Sequence, residues 1–166
     1  MVTGLTIGRK KYVEVEEEMK ALAPKMAEAQ VKFLQFIDDD ADAYNVVFDA
    51  FKLPKETDEE KAARSNAIQE ATLKAALVPL EVAKTAVEIM DAIAVIAAKG
   101  NQNAITDACV AMMCARTATF GALFNVRINL SSLKDADKVA QLTAECDRLH
   151  AEANRKEQEL LNSINI

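Results

Sequence analysis

Between Thr57 and Gly100 the chain carries one unbroken helical phase, and few folds can hold such a stretch. Thr57-Asp58-Glu59-Glu60 is a capping box, a threonine cap answered by a glutamate three residues on. Ile68, Ala71, Ala75, Val78, Val82, Ala86, Ile89, Ile93 and Ile96 then recur at helical spacing, which keeps them on one face. Pro79 falls inside the run without shifting its phase, so the pattern predicts one long kinked helix rather than two. Lys99-Gly100 closes it with a basic last turn and a glycine. So long a helix needs partners of similar length to bury its face. The remaining sequence has little material for turns, with four glycines and three prolines in 166 residues. Only 5% of residues are aromatic and there is no tryptophan, which disfavours sheets. The expected fold is all-α, an antiparallel bundle of long, partly kinked helices, as a single domain over residues 1–166.

The formal net charge of −6 argues against general nucleic-acid binding, which needs a basic surface. Met1 to Ile7 is too short for a signal peptide and runs into Gly8-Arg9-Lys10-Lys11. No apolar run is expected to reach the length of a membrane span. The most apolar window, Ile89 to Ala98, contains Asp91 and reads as a buried helix. Cys109, Cys114 and Cys146 are odd in number, sit on apolar helical faces and lack zinc spacing. They are expected to be buried, reduced thiols of a cytoplasmic protein.

The other elements follow in order. Met1 to Ile7 reads as the end of a helix that starts before Met1, stopped by Gly8. From about Tyr12 to Ile37, Met19, Leu22, Met26, Ala29, Phe33 and Phe36 form a heptad-like seam, with Pro24 inside the helix but off the seam. Asp38-Asp39-Asp40 is expected to open a new helix, because acids suit a helix N-terminus. That helix, ending near Leu53, is expected to bury Tyr44, Val47, Phe48 and Phe51. After Gly100, with Thr106 as cap, comes an apolar helix carrying two stripes. Asp107, Ala111, Cys114, Ala118, Gly121, Asn125 and Asn129 form a small, polar-ended one that reads as buried, and Met113, Phe120, Phe124 and Ile128 read as core. A last helix from about Asp137 to Asn162 has a seam of Val139, Leu142, Cys146, Leu149, Ala153 and Leu160, interrupted by Lys156.

Little in these helices announces chemistry. His150 is the only histidine, with Asp147 three residues before it, so neither a paired carboxylate–histidine metal site nor a histidine triad is expected. No phosphate-binding loop or dinucleotide fingerprint occurs. What remains are polar clusters at helix ends: Lys10-Lys11-Tyr12, Asp38-Asp39-Asp40 with Tyr44, Lys52 to Lys55, Arg64, and Arg116 with Arg127. Each also reads as a solvated charge, a cap or a weak surface ion pair.

Taken together, five blocks carry a resemblance. They are Thr6-Ile7-Gly8-Arg9-Lys10-Lys11-Tyr12; Asp38-x-Asp40-Ala41-x-Ala43-Tyr44; Leu53-Pro54-Lys55-x-Thr57-x-Glu59-Glu60-Lys61-x-x-Arg64; Gly100-Asn101-x-Asn103-Ala104-x-Thr106-Asp107; and Gly121-Ala122-x-x-Asn125-Val126-x-Ile128-Asn129. In this order and spacing they resemble the C-terminal family of formiminotransferase-cyclodeaminase, which includes formiminotetrahydrofolate cyclodeaminases and methenyltetrahydrofolate cyclohydrolases. Members of that family usually begin with a further segment containing a Pro-Gly-Gly-Gly-Ser turn, and the resemblance implies that Met1 is expected to fall inside the helix that follows it.

The resemblance implies antiparallel helices that dimerise or assemble further, with folate bound near the subunit interface. It implies chemistry on the N5–N10 bridge of tetrahydrofolate: cyclodeamination of the formimino derivative to the methenyl form with release of ammonia, or hydrolysis of the methenyl form. On that footing Asp107 and Asp40 are candidates for electrostatic and proton-transfer roles beside a cationic carbon. Tyr12 or Tyr44 could stack on the pterin or donate a hydroxyl. Asn125 and Asn129 could hold the pterin amide edge, and Lys10, Lys11, Lys55 and Arg127 the anionic glutamate tail. Folate is then the substrate and partner, with no metal or bound cofactor, and neither nucleic acid nor membrane is involved. A non-catalytic folate-binding module or a structural helical assembly is the alternative. One conflict is visible in advance, because Asp107 and Asn125 lie about 27 Å apart on a straight helix, further than a pterin reaches.

Overall fold

The computed structural model describes residues 1–164; the last two residues of the expected single domain lie outside them. Its described elements are α1 (Val2–Thr6), α2 (Glu16–Phe51), α3 (Asp58–Lys99), α4 (Ile105–Leu130) and α5 (Ala136–Ser163), with short 3₁₀ turns at Lys10–Val15 and Gln102–Ala104. Contacts between chain-distant residues fix the directions. Lys99 near the end of α3 pairs with Glu18 near the start of α2, while Arg64 near the start of α3 donates to the Phe51 carbonyl at the end of α2. Asn129 of α4 reaches Ala75 of α3, and Arg127 and Arg116 of α4 reach Asp147 and Asn154 of α5. Neighbouring long helices are therefore antiparallel, and α3 is the central member that packs against α2, α4 and α5.

The expected helix ends are present where the cap chemistry is strong. Thr57 accepts from the Glu60 amide while the Glu60 carboxylate accepts from the Thr57 amide, and Gly100 closes α3. Gly8 has a φ of +77°, a conformation that lets the chain leave α1 at little steric cost. Asp135 caps α5 by accepting from the Lys138 amide. Pro24 and Pro79 both lie inside continuous helices, each removing one backbone donor. The main core gathers Leu80, Val87 and Met90 of α3, Met112, Leu123 and Val126 of α4, and Cys146 and Leu149 of α5. Lys156 is buried too, although it interrupts the α5 seam. Its ammonium donates to the Val87 carbonyl at 3.1 Å and pairs with Asp91 at 2.9 Å and Glu152 at 3.0 Å, partners that offset the cost of its burial.

Several expectations are corrected. Asp38 to Asp40 start no helix, because α2 runs straight through them. An aspartate in a helix interior costs less than about 0.7 kcal/mol, too little to stop a helix whose other faces pack. Tyr44, Phe48 and Phe51 are not core; Tyr44 is 66% exposed and the two phenylalanines 53% each. In α4 the assignment of faces is inverted. The buried face is Ala108, Met112, Ala115, Thr119, Leu123 and Val126, whereas Met113, Phe124 and Ile128 are exposed and Phe120 is half-buried. The stripe from Asp107 to Asn129 faces outward as well. Apolar residues surround α4 on nearly every side, so periodicity could not choose the packed face, and small residues let α4 approach the alanines of α3. Thr106 is not the cap; Ala104 is, without a side-chain bond, and Asn101 caps the preceding 3₁₀ turn.

Two further readings change. Gln102–Leu130 is long and apolar enough to cross a membrane by length and composition, where no such run was expected. The stretch also carries Asp107, Arg116 and Arg127, and one of its faces is packed on α3 and α5. Cys114 is exposed, while Cys109 and Cys146 are buried as expected. Burial also pushes the Cys146 thiol above its ordinary value. A disulfide-exchange reagent is therefore expected to modify one thiol quickly in the folded protein, and Cys114→Ser to remove that fast phase. Three equal fast phases would contradict this packing.

Candidate active site

Most of the polar residues singled out in the sequence fall at two ends of the bundle, and the first end is the more elaborately built. Here the turn between α3 and α4 is tied to the chain just after α1. The Thr6 hydroxyl donates to the Val2 carbonyl at 2.7 Å and accepts from the Asn101 amide at 2.9 Å. The Asn101 side chain donates to the Leu5 carbonyl at 3.1 Å and accepts from the Asn103 amide at 3.1 Å. The Tyr12 hydroxyl accepts from the Gln102 amide at 3.1 Å and donates to the Asn101 side-chain oxygen at 3.4 Å. Gln102 donates back to the Ala97 and Gly100 carbonyls. Beneath lies a small apolar cluster of Val2, Met19, Ile96 and Ala104.

This lattice positions Asp107 in the first turn of α4, exposed, where the helix dipole favours a negative charge. Lys10 and Lys11 are exposed on the Tyr12 segment, and the Lys11 ammonium stands 5.5 Å from the Tyr12 ring centroid. Glu16 closes the Gly8 turn from below. Its carboxyl is held below the ordinary range by the hydrogen bond from Lys20, with a smaller contribution from the Gly8 backbone. One end of the molecule thus unites Lys10, Lys11, Tyr12 and Asp107. Thr6, Asn101 and Gln102 hold them there. Only the glycine–asparagine turn motif hinted at that supporting role.

The second end collects the others. Lys55 joins Lys61, Arg64 and Lys134 around a cleft of about 390 Å³, a cationic group in an acidic protein. Lys61 pairs with Asp58, Arg64 donates to the Phe51 carbonyl, and Lys134 donates to Ser65. Asn125 and Asn129 lie near the close of α4, about 27 and 33 Å from Asp107 by the helical rise. Their amide nitrogens are used on their own surroundings: Asn125 on the Gly121 carbonyl, Asn129 on the Asn125 and Ala75 carbonyls. Arg127 pairs with Asp147 at 2.9 Å. Tyr44 stacks on Phe48 at 6.5 Å on the exposed face of α2. Asp40 is also on α2, about 36 Å along it from Glu16.

A single chain therefore does not unite Asp107 with Asp40, Tyr44, Lys55, Arg127 or the two asparagines. The sequence motif could not show this, since order along a chain says nothing of which ends of long helices meet.

Residues 1–148 match the formiminotransferase-cyclodeaminase family. The chain is 39% identical over 164 residues to a methenyltetrahydrofolate cyclohydrolase of Methylorubrum extorquens, covering 99% of this chain and 79% of that one. It is 34% identical to a formimidoyltransferase-cyclodeaminase of Sus scrofa across 99% of its own length, but spans only 30% of that longer protein. Among solved structures, a formiminotetrahydrofolate cyclodeaminase from Thermotoga maritima superposes with a TM-score of 0.84 at 26% identity, over 96% of this chain and 76% of the other.

Proposed function

The chain belongs to the formiminotransferase-cyclodeaminase family, and from that premise we propose that it is an enzyme of folate one-carbon metabolism acting on the N5–N10 bridge of tetrahydrofolate. The favoured reaction is hydrolysis of 5,10-methenyltetrahydrofolate to the 10-formyl derivative. The carrying observation is the 39% identity to a cyclohydrolase, which extends over nearly all of this chain and 79% of that protein. Cyclodeamination, in which N10 attacks the formimino carbon on N5 and ammonia leaves, is the second reading. The likeness to the Thermotoga cyclodeaminase favours it. Both reactions pass through the same bridged cation.

In the hydrolysis, water adds to the electrophilic bridge carbon and loses a proton. The adduct's hydroxyl then gives up its proton as the C=O bond forms and the carbon–N5 bond breaks, N5 takes up a proton, and the formyl group stays on N10. On this reading Asp107, exposed in the first turn of α4, stabilises the cation and accepts the proton of the attacking water. Tyr12 orients the turn that presents it, and Lys10 and Lys11 draw the anionic tail of the substrate to the same end. The bridge carbon is already electrophilic, so the reaction as proposed calls on neither metal nor bound cofactor.

We place the activity in the cytoplasm, in a homodimer or larger homo-oligomer. Phe124 and Ile128 of α4 and Val31, Leu34 and Ile37 of α2 are exposed, and apolar surface of this kind suits a second copy.

The test is optical. The protein is expected to accelerate loss of the near-ultraviolet absorbance of methenyltetrahydrofolate well above the buffer rate. Formiminotetrahydrofolate assayed for ammonia release separates the two reactions. No acceleration in either assay, and no thermal shift with folates, would sink the proposal; a shift without turnover would make the chain a binding module.

A further inference from the structure

We infer that the cationic cleft at the second end of the bundle binds a small multivalent oxyanion, one molecule carrying two or more phosphate or carboxylate groups. The cleft measures about 390 Å³, within the range of small-molecule sites. Lys55, Lys61, Arg64 and Lys134 line it, and no acid does, although the chain as a whole carries a net charge of −6. A concave surface lined by one sign of charge focuses its field and gathers ligands of the other sign. The cleft lies beyond the close of α4, about 35 Å from Asp107 along that helix. It is thus separate from the end assigned to the reaction, and the inference does not depend on the folate reading.

What sets these cations apart is what holds them. Lys99, Arg116, Arg127, Arg148 and Lys156 each pair with a carboxylate. In the cleft only Lys61 does so, with Asp58 in an exposed pair. Arg64 is fixed by neutral groups: Nε and Nη2 donate to the Phe51 carbonyl at 3.2 and 3.1 Å, and the guanidinium stands 5.6 Å from the Phe51 ring centroid. Its Nη1 is left to donate elsewhere. Lys134 is fixed likewise. Gln69 ties the α4–α5 turn to α3, donating to the Ser132 carbonyl and accepting from the Lys134 amide, and the Lys134 ammonium donates to the Ser65 hydroxyl at 2.9 Å. Ser65 keeps its own proton to donate. Lys55 forms no side-chain bond among the described residues. Glu60 and Asp135, close by in sequence, are engaged in helix caps. The cleft therefore holds positioned donors whose charge no neighbouring carboxylate cancels. An arginine fork, a hydroxyl and ammonium groups together suit the oxygens of phosphate or carboxylate, and several cations call for more than one negative group.

The experiment titrates the full chain with pyrophosphate and with citrate by calorimetry at low salt, beside melting temperature. Saturable binding of one anion per chain is expected, weakening as salt is added. Tighter pyrophosphate assigns the cleft to a phosphate-bearing ligand, tighter citrate to a polycarboxylate. Arg64→Gln is expected to weaken binding by roughly tenfold to a hundredfold. It also removes bonds to the Phe51 carbonyl, so a second variant separates binding from folding. Lys55→Glu reverses a charge that holds nothing in the free protein; it is expected to melt close to wild type and to bind roughly tenfold more weakly. The anion should raise the melting temperature of the wild-type protein more than that of either variant. Absence of saturable binding by both probes overturns the inference. So does wild-type affinity in both Arg64→Gln and Lys55→Glu, and so does an affinity that falls with Lys11→Ala but not with Lys55→Glu, which would move the anion to the opposite end of the bundle.

Discussion

Alanine at Gly100 is expected to lower stability by about 1–3 kcal/mol, the range for overpacking a closed site. The reason is space rather than backbone freedom, since Gly100 has ordinary angles of φ −75° and ψ −170°. An added Cβ would stand 2.5 Å from the Ile96 carbonyl oxygen, 3.1 Å from a Val2 methyl and 3.3 Å from the Thr6 hydroxyl. Ile96 also accepts the Gly100 amide at 2.8 Å, which ends α3. The backbone there must move, and the Asn101 amide would leave the Thr6 hydroxyl as it does. For a chain of this size about 2–4 °C of melting temperature goes with each kcal/mol, so scanning calorimetry resolves the effect. Turnover is expected to fall as well, because the same movement displaces Gln102 from the Tyr12 hydroxyl and re-aims the first turn of α4. Gly121→Ala is the internal control. Nothing lies within 4 Å of a Cβ there, and exchanging a mid-helix glycine for alanine gains up to about 1 kcal/mol. Equal behaviour of the two variants would show that the turn is not packed as described.

Asp107→Asn is expected to reduce turnover by roughly a hundredfold to ten-thousandfold, the contribution of a positioned acid or base. Its stability should hardly change. Asp107 is exposed at the head of α4, and its favourable interaction with the helix dipole accounts for about 0.3–1 kcal/mol. The melting temperature should therefore stay within a few degrees of wild type. A drop of more than about 8 °C, beyond what a 1 kcal/mol loss gives even in a smaller domain, would make the residue structural. Retained turnover with retained stability would remove it from the chemistry and direct attention to the other end of the bundle, where Asn125 and Asn129 stand beyond the reach of one pterin.

The sequence was most informative where local chemistry alone settles local structure. The capping box at Thr57, the glycine stops at Gly8 and Gly100, and the seams of α3 and α5 depend on neighbours a few residues away, and all stand as expected. It misled where one local signal competed with packing. Three aspartates at 38–40 resembled a helix start, yet α2 continues through them. In α4, apolar residues on every side left the buried face undecided, and Phe124 and Ile128 came out on the surface with Asn125 between them.

The same division applies to the candidate site. Lys10, Lys11, Tyr12 and the Gly100–Asp107 turn were legible as motifs, because each is short and polar between apolar helices. Their meeting, and the separation of Asp40, Tyr44, Lys55 and Arg127 from them, follows from antiparallel packing of helices tens of residues long. Residues far apart in sequence become neighbours, and residues on one helix end up at opposite ends of the molecule. The all-helical class, the long central helix and the family motifs were determined by the sequence itself, since periodicity and caps act over a few residues. Which face of α4 is buried and which polar ends meet were decided only by the tertiary structure, since each depends on what the facing helix presents at that point.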